Sequence, residues 1–553
     1  MSLPSSRPGR SRGKAAYFRG LAAFGAGLAG LVVAAPAWAQ STGLLPSNAA
    51  GVNLGNLRQA YDSALSTLSP TPQIGFTITP AISLSGFFAD PVVAGSRGSR
   101  HADVGTIISP SLLVSGQSPR LQGTLLYSPQ ATFYAQEGSA NRIGQNFNGN
   151  LHAILVPDTL FLDARGTGSM TLGQGGYSSY GASGLSPQQL TQTYGFQIAP
   201  LLQHRFDGTG IAELGYTYAE TVFENGNNVP TTTPFGTVAP NQNQITNAAH
   251  VGFTSGENFG RIRFSGLLSG SQSTGGSLGA SHRNLANVDL AYGITREIII
   301  LGSVGYEDLH YGGTAPINIR GMTWSAGTRL LPNPKSSITV TYGRYDGANS
   351  VSFDGSYQLG TRLLLSGRYS KGISSAAEDL QSALASSRLD PYGNPIDAVT
   401  GVPLMLQDNF FGISGTVDRI ERYSASIAYL LPRDVVTLGA RTDHNRVLSS
   451  SAQTASGPTS TSGTYFSLAW QHDLSPTISA NTSYQYGIRT GAGSTQTPGT
   501  STEYIHSFSL GASWRMSKTL TTSALYALDI TSSRTAGYDQ TTHYVIITLN
   551  KQF

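Results

Sequence analysis

The residues that could do chemistry are few, and most are in the wrong surroundings for it. The chain has no cysteine, so disulfides, zinc–thiolate sites and thiol nucleophiles are excluded. Gly25-Ala26-Gly27-Leu28-Ala29-Gly30 fits a dinucleotide-binding pattern, and Gly9-Arg10-Ser11-Arg12-Gly13 fits the G-x-S-x-G pattern of a nucleophilic serine. Both lie in a leader segment that is read as removed. Gly275-Gly276-Ser277-Leu278-Gly279 repeats the serine pattern in a polar loop. A nucleophile elbow needs a strand, a sharp turn and a helix around its serine, and no helical pattern follows Ser277. The ten histidines are dispersed and make no H-E-x-x-H pair. These observations point to no catalytic residue, no metal site and no cofactor.

Charged residues spaced two apart are the remaining candidates. Asp163 and Arg165 form such a pair, as do Arg261 and Arg263, Arg419 and Glu421, and Arg441 and Asp443. Each pair sits on what reads as the polar face of a strand. A charge facing lipid at mid-membrane costs about 2–4 kcal/mol, so a barrel lumen is the natural place for all eight. They read either as mutually neutralising ion pairs in a wet lumen or as an eyelet that selects solutes by charge. Their mixed sign favours the first reading and argues against strong ion selectivity.

The elements that would position these groups follow from periodicity. Residues 1–20 carry Arg7, Arg10, Arg12, Lys14 and Arg19 and no acid. An apolar run of about 15 residues follows, Leu21 to Ala35, short of the roughly 20 that a spanning helix needs. Ala37-Trp38-Ala39 then offers a small-x-small cleavage site ahead of Gln40. Together these define a secretory signal peptide over 1–39, cut between Ala39 and Gln40, rather than a membrane anchor. The chain has 34 Lys+Arg and 30 Asp+Glu. Removing the five basic residues of 1–39 leaves 29 against 30, a net charge of −1. The sequence pI near 9.0 therefore belongs to the leader, and no basic patch points to nucleic acid.

Residues 40–72 read as a short periplasmic lead-in with one amphipathic helix, since Leu54, Leu57, Tyr61, Ala64, Leu65 and Leu68 share a helical face. From 73 to 553 the period is two. Tyr504, His506, Phe508, Leu510, Ala512 and Trp514 oppose Ser507, Ser509, Gly511 and Ser513. This order argues against disorder, which 66 glycines and 12% charged residues would otherwise suggest. The runs are longer than soluble strands and suit tilted membrane strands of at least 9–11 residues. Short turns such as 156–158, 207–209 and 432–434 alternate with long polar loops such as 89–102, 173–190, 225–242 and 372–414. The fold expected is all-β: a transmembrane antiparallel outer-membrane β-barrel of about 22 strands, within about 18–24. The uncertainty comes from 346–350 and the stretch before Thr416. A soluble sandwich or β-helix fits this pattern poorly.

The last strand places Val545, Ile547, Leu549 and Phe553 on one face, resembling the C-terminal signal read by barrel-insertion machinery. Lys551 departs from that signal. A lysine at the rim can snorkel. A barrel of this width must be filled or open, and the lead-in is too short for a folded plug. Loop 372–414, by its length, is the best candidate to constrict or cap the lumen.

Several strand motifs point to one family. They are Ile108-Ser109-Pro110-Ser111 through Leu125-Leu126-Tyr127, Leu160-Phe161-Leu162-Asp163-Ala164-Arg165, Leu301 to Asp308, Trp324 to Arg329, and Pro332 through Arg344. Over roughly 74–553 they resemble the outer-membrane barrels associated with exosortase/PEP-CTERM systems. The resemblance implies a place beside exopolysaccharide synthesis and a role in polysaccharide export, with no catalytic residues to carry over. The expected partners are outer-membrane lipid, the insertion machinery, polysaccharide and periplasmic export components, with localisation in the outer membrane of a Gram-negative bacterium. A general diffusion porin for small solutes and a non-conducting surface barrel remain as alternatives.

Overall fold

The computed structural model describes residues 74–93, 100–172, 190–225, 231–233, 236–238, 242–276, 279–390, 393–397, 413–450, 457–493, 499–534 and 539–553. The leader, with Ala37, Ala39 and Gln40, and the lead-in helix lie outside the described residues.

Twenty-two antiparallel strands form one closed sheet. They are β1 (Gly75–Val93), β2 (Arg100–Gln117), β3 (Leu121–Tyr127, continued by Gln130–Tyr134), β4 (Arg142–Gly144, continued by Phe147–Val156), β5 (Leu160–Leu172), β6 (Leu190–Phe206), β7 (Gly210–Asn225), β8 (Gln242–Ser255), β9 (Ile262–Gly275), β10 (Ser281–Gly293) and β11 (Ile298–Tyr311). The second half comprises β12 (Ile317–Asn333), β13 (Ser336–Tyr345), β14 (Ala348–Leu359), β15 (Leu363–Ser375), β16 (Thr416–Leu430), β17 (Asp434–Ser450), β18 (Ser460–Ser475), β19 (Ile478–Ala492), β20 (Thr500–Arg515), β21 (Leu520–Ser533) and β22 (Gln540–Gln552). Each strand pairs with its chain neighbours. β1 also pairs with β22, from Ala81↔Gln552 to Asp90↔His543, and this closes the ring. Closure removes the continuous sheet edge, and the strands pair on both sides along most of their length.

Alternation of side chains decides which face is which. On β22, Val545, Ile547 and Leu549 are exposed on the outer face with Phe553, while Tyr544 is buried on the inner one. On β20, Phe508, Leu510 and Trp514 face out, and Ser507 and Ser509 face in. An apolar exterior around a hydroxyl-rich interior is the surface of a membrane-spanning barrel of outer-membrane type. Among the described residues no helix is long and apolar enough to cross a membrane. Lys551 lies on the outer face at the rim, and its Nζ donates to Thr519 Oγ1 at 2.8 Å.

Strand connections follow the short–long alternation. The connections on the rim where Phe553 sits are of six residues or fewer; those on the opposite rim include all the long ones, and the shortest there is a two-residue hairpin. β13 and β14 are joined by Asp346-Gly347, whose φ angles of 49° and 70° make a two-residue type I′ turn. This settles the ambiguous stretch 346–350. Among the described residues, the stretch before Thr416 contributes no barrel strand; its pieces Ser387–Leu389 and Pro395–Asp397 pair with each other.

The short hairpin leaves a notch in the long-loop rim. Above the pairs Trp324↔Arg344 and Phe353↔Tyr369, neither β12 nor β15 has a neighbour on that side. Leu309, Tyr311, Ile373 and Val417 are buried together there, and the hairpin tip is tied to three strands. Glu307 of β11 accepts the backbone N–H groups of Asp346 (3.0 Å) and Gly347 (2.9 Å). Arg283 of β10 bonds Asp346 at 2.9 Å and donates to the Ile373 carbonyl of β15 at 2.9 Å. Asp346 in turn accepts the Ile373 N–H at 2.9 Å. This knot fixes the end of β15, from which the inward segment departs.

Candidate functional site: a lumen with an inward-folded segment

Directly after β15 the chain turns into helix α1 (Ala376–Ser386). Its start is written locally. Ser375 accepts the Glu378 N–H, and Glu378 accepts the Ser375 N–H, a reciprocal capping box. Such a cap contributes about 1 kcal/mol. Glu378 and Asp379 sit in the first turn, where the helix dipole favours acids.

Ala377, Leu380, Ala383 and Leu384 form the buried face. It packs on the inner side of β5–β7, which lie well round the ring from β15. Leu380 lies over Gly195, where an added Cβ would come within 3.3 Å of it. Phe223, Leu380 and Ile413 pack together. Burying each leucine contributes roughly 1.5–3 kcal/mol. Gln381 Nε2 donates to Thr221 Oγ1 at 3.2 Å. The helix is about 16 Å long, and its C-terminus meets Arg165 of β5, whose Nη1 donates to the carbonyls of Leu384 (2.9 Å) and Ala385. A guanidinium on the negative end of the dipole reinforces that seat. Beyond α1, Gly393 packs against Leu126 on the inner face of β3, at the tip of a turn where Asp390 accepts the Asn394 N–H at 2.8 Å. The segment thus runs from β15 across to β3–β7 and narrows the lumen.

The acids at the helix start are tuned by this placement. Burial raises the Glu378 carboxyl above its ordinary range, with Arg283 and the Tyr311 hydroxyl (2.8 Å) opposing. Burial likewise raises Asp379, opposed by Arg422, by the Ser374 hydroxyl and by Arg441. A raised carboxyl binds its proton more tightly in the docked segment. Docking is therefore favoured as pH falls, fully so below the ordinary values of 4.5 and 3.8.

The eight charges read from the sequence do not form one eyelet. Arg165 holds α1. Asp163 faces the lumen in contact with His152 at 3.0 Å. Arg261 and Arg263 stand at the tight-turn end of the inner wall, Arg261 donating weakly to the Ile294 carbonyl at 3.5 Å. Arg441 and Asp443 are buried inside. Asp443 lies between Arg441 (2.7 Å) and Arg422 (3.0 Å), and the Arg441 guanidinium lies 5.8 Å from the Tyr465 ring. Arg419 and Glu421 require a correction. They share the face of Tyr423, Ile427 and Tyr429, each at least 40% exposed, and so point outward. Their apparent polar-face pairing marks the point where the apolar band ends.

Sequence reasoning missed Arg422, Glu378, Asp379 and the Arg283–Asp346–Glu307 knot. Two of these were accessible. The apolar run Tyr423, Ala425, Ile427, Tyr429 sets the phase of β16 and puts Arg422 inside. Ser375-Ala376-Ala377-Glu378 is a capping-box spacing. The knot depends on a hairpin tip folding inward, which no local pattern reports. Among the described residues, no group of three or more histidines, aspartates or glutamates is placed to hold a metal.

No family model matches the chain, and no curated protein matches it. Solved structures similar to it include the closed form of the ferric-catecholate import receptor Fiu of E. coli K12, at 12% identity and a TM-score of 0.48, covering 87% of this chain and 82% of that one. The FrpB iron transporter of Neisseria meningitidis is similar at 10% identity and a TM-score of 0.48, over 86% and 81%. The siderophore receptor PirA of Acinetobacter baumannii is similar at 10% identity and 0.46, over 87% and 81%. The barrel reading rests on the closed sheet itself.

Proposed function

We propose that this chain is an outer-membrane channel for a hydrophilic polymer, an exopolysaccharide in transit to the cell surface, throttled by the segment Ala376–Asp397. The observation that carries the reading is the inner wall away from α1. On β18–β22, Ser467, Asn481, Ser513, Ser523, Thr548 and Asn550 face inward and are partly exposed. Hydroxyls and amides give and accept hydrogen bonds without net charge. They suit a polyhydroxylated cargo better than an ion, whose selection needs a ring of like charges. The resemblance to barrels of exopolysaccharide loci agrees with this chemistry.

A clean deletion strain tests the reading in the cell. Exopolysaccharide in the medium should fall and return when the intact chain is restored. Unchanged secretion, with lowered uptake of small sugars, would replace export by general diffusion.

A further inference from the structure

The outward charges of β16 are themselves arranged. On the outer face of β16, Tyr429, Ile427, Ala425 and Tyr423 make an apolar band about 20 Å long at roughly 3.4 Å per residue. The band ends in a pair of tyrosines, Tyr369 and Tyr423, with ring centroids 4.4 Å apart. Both hydroxyls donate to Glu421, at 2.8 and 2.7 Å, and Lys371 Nζ donates to it at 3.1 Å. Immediately beyond, toward the long-loop rim, Arg419 pairs in register with Arg446, and Glu421 with His444. Lys371, Arg419, Glu421, His444 and Arg446 line a concavity of about 500 Å³, together with Ala348 beside the hairpin tip.

The charge balance of this concavity is positive. Lys371 and Glu421 offset each other. Arg419 makes one long contact, 3.4 Å, to the Asp346 carbonyl, and among the described residues neither Arg419 nor Arg446 has a carboxylate within ion-pair distance. Two guanidiniums facing a membrane are costly at mid-bilayer and cheap only at the interface. Here they lie just past the tyrosines, at head-group depth in the leaflet on the long-loop side. Guanidinium pairs are suited to phosphate because each presents a rigid fork of donors. We infer that Arg419 and Arg446, with Lys371 and His444, form a binding site for the phosphate monoester of an anionic lipid in the leaflet on the long-loop side. The site is separate from the lumen and independent of what crosses it.

The test uses the full mature chain, refolded in detergent, and three probes: a short-chain phosphatidic acid, a phosphatidylcholine of the same chain length, and inorganic phosphate. Retained lipid is read by native mass spectrometry. The phosphatidic acid should bind roughly tenfold more tightly than the phosphatidylcholine, and the R419Q/R446Q variant should lose that preference. The R419K/R446K variant should keep part of it, because the charge remains while the fork of donors is lost. Resistance of the folded band to dissociation in gels should match the wild type in both variants, because neither position lies in the lumen. Equal binding of the two lipids, or equal binding by wild type and R419Q/R446Q, would overturn the site. Displacement of the lipid by inorganic phosphate at equal concentration would reassign it to the free anion and overturn the lipid proposal.

Discussion

Excising Ala376–Asp397 and bridging the gap with a short Gly-Ser linker should raise single-channel conductance roughly tenfold, because a ring of 22 strands has a wide lumen once unfilled. The barrel ladder does not need the segment. β15 pairs with β16 from Leu363↔Tyr429 to Ser375↔Val417, all below the excision. What is lost is the seat of α1 on β5–β7, with its contacts to Gly195, Thr221 and Arg165. Planar-bilayer recording of the refolded variant beside the intact chain reads the effect. An unchanged step size would mean that ions pass elsewhere and that the segment does not throttle the lumen.

The second large effect is expected at Asp443. Its side chain is 1% exposed and lies between Arg422 and Arg441, which are 12% and 2% exposed. Asp443→Ala would remove the carboxylate that two buried guanidiniums share, leaving Asp379 of α1 to oppose both. Breaking a buried pair from one side costs about 3–5 kcal/mol, most of it from the charge left behind. The cost should appear as a lower midpoint of urea unfolding in detergent. Glu421→Gln serves as the contrast. Its pair with Lys371 lies on the outer surface, where such pairs contribute about 0–1 kcal/mol. Similar midpoints for the two variants would show that the Arg422–Asp443–Arg441 group is solvated and carries little of the fold.

Much of the architecture was legible because it depends on period and punctuation. Alternation of Phe508, Leu510 and Trp514 with Ser507 and Ser509 separates the faces without tertiary information. The alternation of tight turns with long loops sets the strand count. Even the inward segment was singled out, through the length of loop 372–414. The site was less legible. A strand's phase is set by its central apolar residues, and charges near its ends are uninformative. For that reason the spacing of Arg419 and Glu421 misleads, and Arg422 is reached only through the phase of Tyr423, Ile427 and Tyr429. The Arg283–Asp346–Glu307 knot joins residues far apart in sequence through one inward-folded hairpin tip, so no spacing rule could have found it.

Passage of a polyhydroxylated polymer through the lumen is the central proposal. Its most direct test is single-channel recording of the Ala376–Asp397 excision variant with purified exopolysaccharide on one side of the bilayer. Long, concentration-dependent blocks are expected from the polymer and none from glucose or sucrose at equal mass concentration. Equal blocks by polymer and small sugars, or a current indifferent to both, would contradict it.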